Sequence, residues 1–113
     1  MSQPNLFDKR QKRTATTDEQ VVLYALGDFQ ARGLVLAERD LPLDRLRGAL
    51  RRASEAFGVE EFSDEQAVAL FQSLGATVNR RHPFAAKHPF HIIVPVTLAE
   101  RARIAYAEMT KRE

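Results

Sequence analysis

The chain has 113 residues, 44% of them apolar and 28% charged, with a net charge of +2 and no cysteine. This length suits one domain with one core, burying roughly two thirds of the unfolded surface without a covalent or metal staple. Lack of cysteine excludes disulfides, thiolate zinc sites and cysteine nucleophiles. No apolar run reaches the roughly 18 residues that span a bilayer, and "MSQPNLFDKRQKRTATTDEQ" has no signal-peptide core. The expectation is a cytoplasmic protein with no membrane partner.

The charges are clustered. "KRQKR" (9–13) is a basic arm, "RLRGALRR" (45–52) carries four arginines, and "NRRHPFAAKHPFH" (79–91) carries Arg80, Arg81 and Lys87 with His82, His88 and His91 and no acid. "EEFSDE" (60–65) is the acidic counterpart. This is a mixed surface with local basic patches.

In chain order, residues 1–15 are polar and without periodicity, which reads as a flexible basic arm ahead of a single domain, 16–113. A first helix is predicted from Thr17, where Thr17 and Gln20 fit a capping box, with Val22, Ala25, Leu26 and Phe29 as its apolar stripe and Gly33 as its stop. "LVLAE" (34–38) reads as a short strand or an extended connector. A second helix is predicted from Asp40 to Phe57, with Leu43, Leu46, Leu50, Ala53 and Phe57 on one face and Gly58 ending it. Gly48 lies inside it, and its cost of about 1 kcal/mol relative to alanine points to close packing there.

The third helix, 64–74, has the clearest start. Ser63 and Gln66 form a capping box, and Asp64 and Glu65 suit the positive end of the dipole. Ala67, Leu70, Phe71 and Leu74 make its buried stripe and Gly75 stops it. The period then drops to 2, so 76–82 and 89–96 read as strands of an antiparallel hairpin around a short connector. Pro83 and Pro89 punctuate the hairpin, since neither can donate a ladder hydrogen bond. A last helix is predicted from Thr97, with Thr97 and Glu100 as a third capping box and Leu98, Ala102, Ala105 and Met109 as its stripe. Ile104 lies off that stripe and Tyr106 on its flank. Either self-association through the last helix or packing of the first helix or the arm would cover them; a homodimer is the expectation.

The fold class is mainly α with a small β-hairpin (α+β), in the order α-(β)-α-α-β-β-α. Across residues 17–112 this order and size resemble the winged helix-turn-helix superfamily. The resemblance implies that helix 64–74 is a recognition helix, that hairpin 76–95 is the wing, and that the partner is double-stranded DNA. The implied contacts are Gln66 and Gln72 toward base edges, and Arg80, Arg81, His82, Lys87 and His88 on the wing, with Arg51 and Arg52 of the second helix beside them. The third helix departs from the pattern. It has no lysine or arginine, and Glu60, Glu61, Asp64 and Glu65 at its start would repel phosphates. The wing, second helix and arm are therefore better placed electrostatically. The alternative is a winged-helix-like protein-interaction module without DNA binding.

Other chemistries find less support. The spacing His82-x5-His88-x2-His91 offers imidazoles for zinc. But His88 and His91 point to opposite faces of a strand, and no acid lies between 66 and 99 to complete a site locally. No metal or other cofactor is expected. Neither a Gly-rich phosphate loop nor a nucleophile elbow is present, so an enzyme is not expected. Unperturbed imidazoles titrate near neutral pH, so a DNA-binding wing would gain charge and affinity on mild acidification.

Overall fold

The computed structural model of the protein describes residues 15–80 and 90–111. It is an α+β fold, mainly helical, in the order α1 (Ala15–Ala31), β1 (Asp40–Pro42), α2 (Leu43–Phe57), α3 (Asp64–Leu74), β2 (Thr77–Arg80), β3 (Phe90–Ile93) and α4 (Val96–Thr110). The strands form one antiparallel sheet in the order β1-β3-β2. Thr77, Val78, Asn79 and Arg80 face Ile93, Ile92, His91 and Phe90, and Asp40, Leu41 and Pro42 face Ile93, Ile92 and His91. The predicted hairpin is thus present; its connection, 81–89, lies outside the described residues, as does the basic arm up to residue 14.

α1 is the axis of the molecule. Every residue from Val21 to Phe29 is buried apart from half-buried Tyr24, and the helix packs on α4, α2 and α3. A helix apolar on all sides needs neighbours on all sides. The stripe predicted on Val22, Ala25, Leu26 and Phe29 is buried, but so are Val21 and Leu23. α1 and α4 cross closely at Gly27. A Cβ there would lie 2.2 Å from Tyr106 Cβ and 2.7 Å from the Ala102 carbonyl oxygen. Gly48, by contrast, does not mark close packing: a Cβ there would meet only Arg52 Nη1, at an ordinary 3.5 Å.

α2 buries its predicted face through Leu43, Leu46, Leu50 and Ala53, while half-buried Phe57 meets Tyr24 edge-on at 5.8 Å. α3 buries Ala67 and Phe71. It ends in a Schellman turn: Gly75, at φ 106°, donates to Gln72 O, and Ala76 donates to Phe71 O. The sheet turns Ile92 into the core and leaves Thr77 and Asn79 exposed on its other side.

Three predicted starts move. α1 already runs through Thr17, so Thr17 is no N-cap. α2 begins at Leu43 rather than Asp40, because Pro42 holds φ at −65° and biases the preceding residue toward extended backbone. Asp40–Pro42 is instead the β1 edge strand, while 34–38 is a connector whose ladder pairing among the described residues is an isolated Ala37–Val94 bridge. α4 begins at Val96 after Pro95, so the Thr97–Glu100 capping box is not made. The Glu38 carboxylate, from the connector, accepts from Val96 N–H at 3.4 Å in place of a local cap.

Candidate nucleic-acid interface

The predicted outer face of α3 is exposed at Glu65, Gln66, Ala69, Gln72 and Ser73. Its capping box is reciprocal. Ser63 Oγ accepts from Gln66 N–H at 3.2 Å, and Gln66 Oε1 accepts from Ser63 N–H at 2.9 Å. Reading an adenine edge takes both the oxygen and the nitrogen of an amide, so Gln66 would have to leave its cap. Gln72 has no such tie among the described residues.

Arginines of α2 neutralise part of the acidic start of α3. Arg47 donates to Phe62 O at 2.8 Å and pairs with Asp64, and its Nη1 lies 3.9 Å from Glu61. Arg51 Nε lies 3.8 Å from Glu61. Of the four carboxylates counted as repulsive, Glu61 and Asp64 are therefore matched across the α2–α3 turn. Nothing local in the sequence signals this, because Arg47 and Asp64 are 17 residues apart.

Arg52 points elsewhere. Its Nε and Nη2 donate to Asp28 Oδ2 at 2.9 and 2.6 Å, and Arg32 Nε approaches the same carboxylate at 3.3 Å. Asp28 is 6% exposed, so this is an anchoring ion pair between α1 and α2. A buried carboxylate needs such donors. Of the predicted α2 contacts, only Arg51 remains largely exposed, at 61% of its side chain.

On the hairpin, Arg80 and Phe90 are cross-strand partners, and the Arg80 guanidinium sits over the Phe90 ring at 5.0 Å. This cation–π contact fixes an exposed cation where the hairpin leaves the sheet. Arg81, His82, Lys87 and His88 lie outside the described residues. His91 Nδ1 lies 2.9 Å from Asp40 Oδ1. The acid absent from the local sequence comes from β1, 51 residues away. Among the described residues no group of three or more His, Asp or Glu side chains is placed to hold a metal ion, and no helix is long and apolar enough to cross a membrane.

On α4, Tyr106 packs edge-on against Tyr24 at 4.9 Å, so α1 covers it. Ile104 stays 49% exposed and Val96 58%. Between them Arg103 pairs with Glu100, and that hydrogen bond holds the Glu100 carboxyl below its ordinary range.

A scan against protein-family models and searches of curated proteins and solved structures return no match to this chain. What the fold defines is a small α+β domain of four helices and a three-stranded antiparallel sheet, counted over the described residues.

Proposed function

We propose that the chain is a small DNA-binding protein of winged-helix type, a transcriptional regulator that acts as a homodimer and performs no chemistry. The observation that carries this reading is topological. Two consecutive helices lead into a hairpin whose returning strand is also paired with a short strand preceding α2. The hairpin segment carries Arg80, Arg81 and Lys87 with three histidines and no acid. Arg80, Arg81, Lys87 and the histidines His82 and His88 would meet phosphates, with Arg51 and Gln72 at the flank. The exposed Val96 and Ile104 of α4 would meet their counterparts across a two-fold axis.

The test is titration of a labelled duplex at several salt concentrations. Affinity should fall steeply with salt, and Arg80→Ala with Arg81→Ala should lower both the affinity and the slope, by about one unit of slope per phosphate contact removed. No binding at low salt, or a flat salt dependence, overturns the reading. Sedimentation equilibrium tests the dimer: Ile104→Glu should give a monomer, and a wild-type monomer at all concentrations refutes that part. The second reading, a protein-interaction module, is favoured by the absence of any lysine or arginine on α3.

A further inference from the structure

Among the described residues four large apolar side chains are exposed: Leu34, Val35, Val96 and Ile104. The first two are consecutive, on the connector that leaves α1. They line an open cleft of about 420 Å³ together with Leu41, Arg39 and Arg45. The connector is not loose backbone there. Leu36, two residues beyond Leu34, is 2% exposed. Glu38 N–H donates to Val94 O at 2.8 Å, its φ is held at +61°, and Arg39 N–H donates to Leu36 O. A non-glycine residue held in the left-handed region is strained and persists only where its surroundings enforce it. The cleft is therefore built from a fixed wall with two aliphatic side chains turned outward.

Its arginines differ from those of α2 that face α1 and α3. Arg47 and Arg52 are engaged by acids, whereas Arg39 and Arg45 have no ion pair or hydrogen bond from their side chains among the described residues. The carboxylate that lines the cleft, Asp40, is in contact with His91 at 2.9 Å. Asp40 pairs with Ile93, at the end of β3 remote from the 81–89 connection. Arg39 and the connector thus lie toward the end of β3 opposite the Arg80–Phe90 pair.

We propose that this cleft docks an extended acidic segment of a partner protein, one that carries carboxylates beside an aliphatic side chain. Arg39 and Arg45 present planar guanidinium forks that match carboxylates. Leu34, Val35 and Leu41 take the aliphatic group, and burying them away from water supplies the non-directional part of the affinity. Nucleic acid fits less well, because a phosphodiester backbone offers no aliphatic surface to cover Leu34 and Val35. A second copy of this chain fits less well too. The one apolar residue inside its acidic stretch, Phe62, is 3% exposed and cannot reach out. With a contact this small the complex is a weak, transient one.

Selection of a random linear-peptide library on the full chain tests this. Peptides with two or more carboxylates flanking a leucine, isoleucine or valine should be enriched. Their affinity, read by fluorescence polarisation, should fall roughly tenfold or more in Arg39→Glu/Arg45→Glu, and should fall in Val35→Ser. Arg80→Ala/Arg81→Ala should leave peptide affinity unchanged, which separates this surface from the proposed DNA-binding hairpin. Val35, Arg39, Arg45 and Arg80 are exposed, so melting temperatures of their variants should stay near wild type; if the charge reversal unfolds the chain, Arg39→Gln/Arg45→Gln replaces it. No enrichment of acidic–aliphatic peptides, or equal binding by the charge-reversed protein, overturns the proposal. So does a result in which the Arg39 and Arg45 variants lose duplex DNA and no peptide is selected, which would make the cleft a nucleic-acid surface.

Discussion

Substituting Gly27 by alanine adds one carbon at the point where α1 and α4 come closest. That carbon would sit 2.2 Å from Tyr106 Cβ, where carbons need about 3.5 Å, so the shortfall is about 1.3 Å. Tyr106 cannot relieve it by rotating, because a Cβ is fixed by its own backbone. The Ala102 carbonyl oxygen, 2.7 Å away, is backbone as well. The two helices must separate, loosening the Tyr24–Tyr106 contact and the core beneath. Overpacking of this kind costs about 3 kcal/mol at the upper end of its usual range. Alanine gains about 1 kcal/mol of helix propensity over glycine, so the net loss is about 2 kcal/mol. At roughly 4 °C per kcal/mol for a chain of this size, the melting temperature should fall by about 8 °C. Gly48→Ala is the internal control. The same propensity gain applies, and the nearest atom is the flexible end of Arg52 at 3.5 Å, so this variant should be stabilised by roughly 0.5–1 kcal/mol. Urea and thermal unfolding followed by circular dichroism measure both. A Gly27→Ala protein as stable as wild type, or a Gly48→Ala protein that loses as much as Gly27→Ala, would refute the reasoning.

Four further outcomes are expected. Arg52→Ala leaves the Asp28 carboxylate buried with Arg32 still beside it, and should cost about 2–3 kcal/mol, below the full range for broken buried pairs because Arg32 stays. Asp28→Asn should cost less, since the two arginines freed are 39% and 53% exposed and can rehydrate; chemical denaturation of both variants gives the order, and the reverse order contradicts the anchoring role. Ser54 is buried at 3% with no hydrogen-bond partner for its hydroxyl among the described residues, so Ser54→Ala should be neutral or stabilising by up to about 1 kcal/mol in the same assay, as removal of an unsatisfied buried polar group is. If the hairpin binds DNA with its histidines in contact, duplex titrations at pH 6 and pH 8 should show tighter binding at pH 6, because protonated imidazole adds positive charge; equal affinities remove the histidines from the interface.

Much of the α3 region is legible in its residues alone. Ser63 and Gln66 cap within one turn, Ala67 and Phe71 repeat at helical spacing, and Gly75 takes the left-handed turn that ends the helix. Each of these effects spans only a few residues, which is why sequence carries them. Thr17 and Thr97 offer the same local pattern and do not cap. Prolines decide the starts of α2 and α4 instead. Of the candidate interface, the outward face of α3 and the pairing of Arg80 with the returning strand are legible from periodicity. The partners of Arg47, Arg51 and Arg52 are not, because each lies on another element.

The sequence by itself determined the class of fold, most of the helices with their stops, and the hairpin, through turn chemistry and hydrophobic period acting over one or two turns. Only the tertiary structure decided which of two helix-interior glycines is a crossing point, since both break the same local rule and only at Gly27 would a Cβ collide with another helix. It also decided that Arg52 anchors α1 through Asp28, that His91 finds Asp40, and that Leu34 and Val35 stay exposed while Leu36 is buried. The physical reason is the same in each case. An ion pair, a close approach or an uncovered side chain depends on which elements the packing brings together, and the spacing of residues along one element carries no record of that.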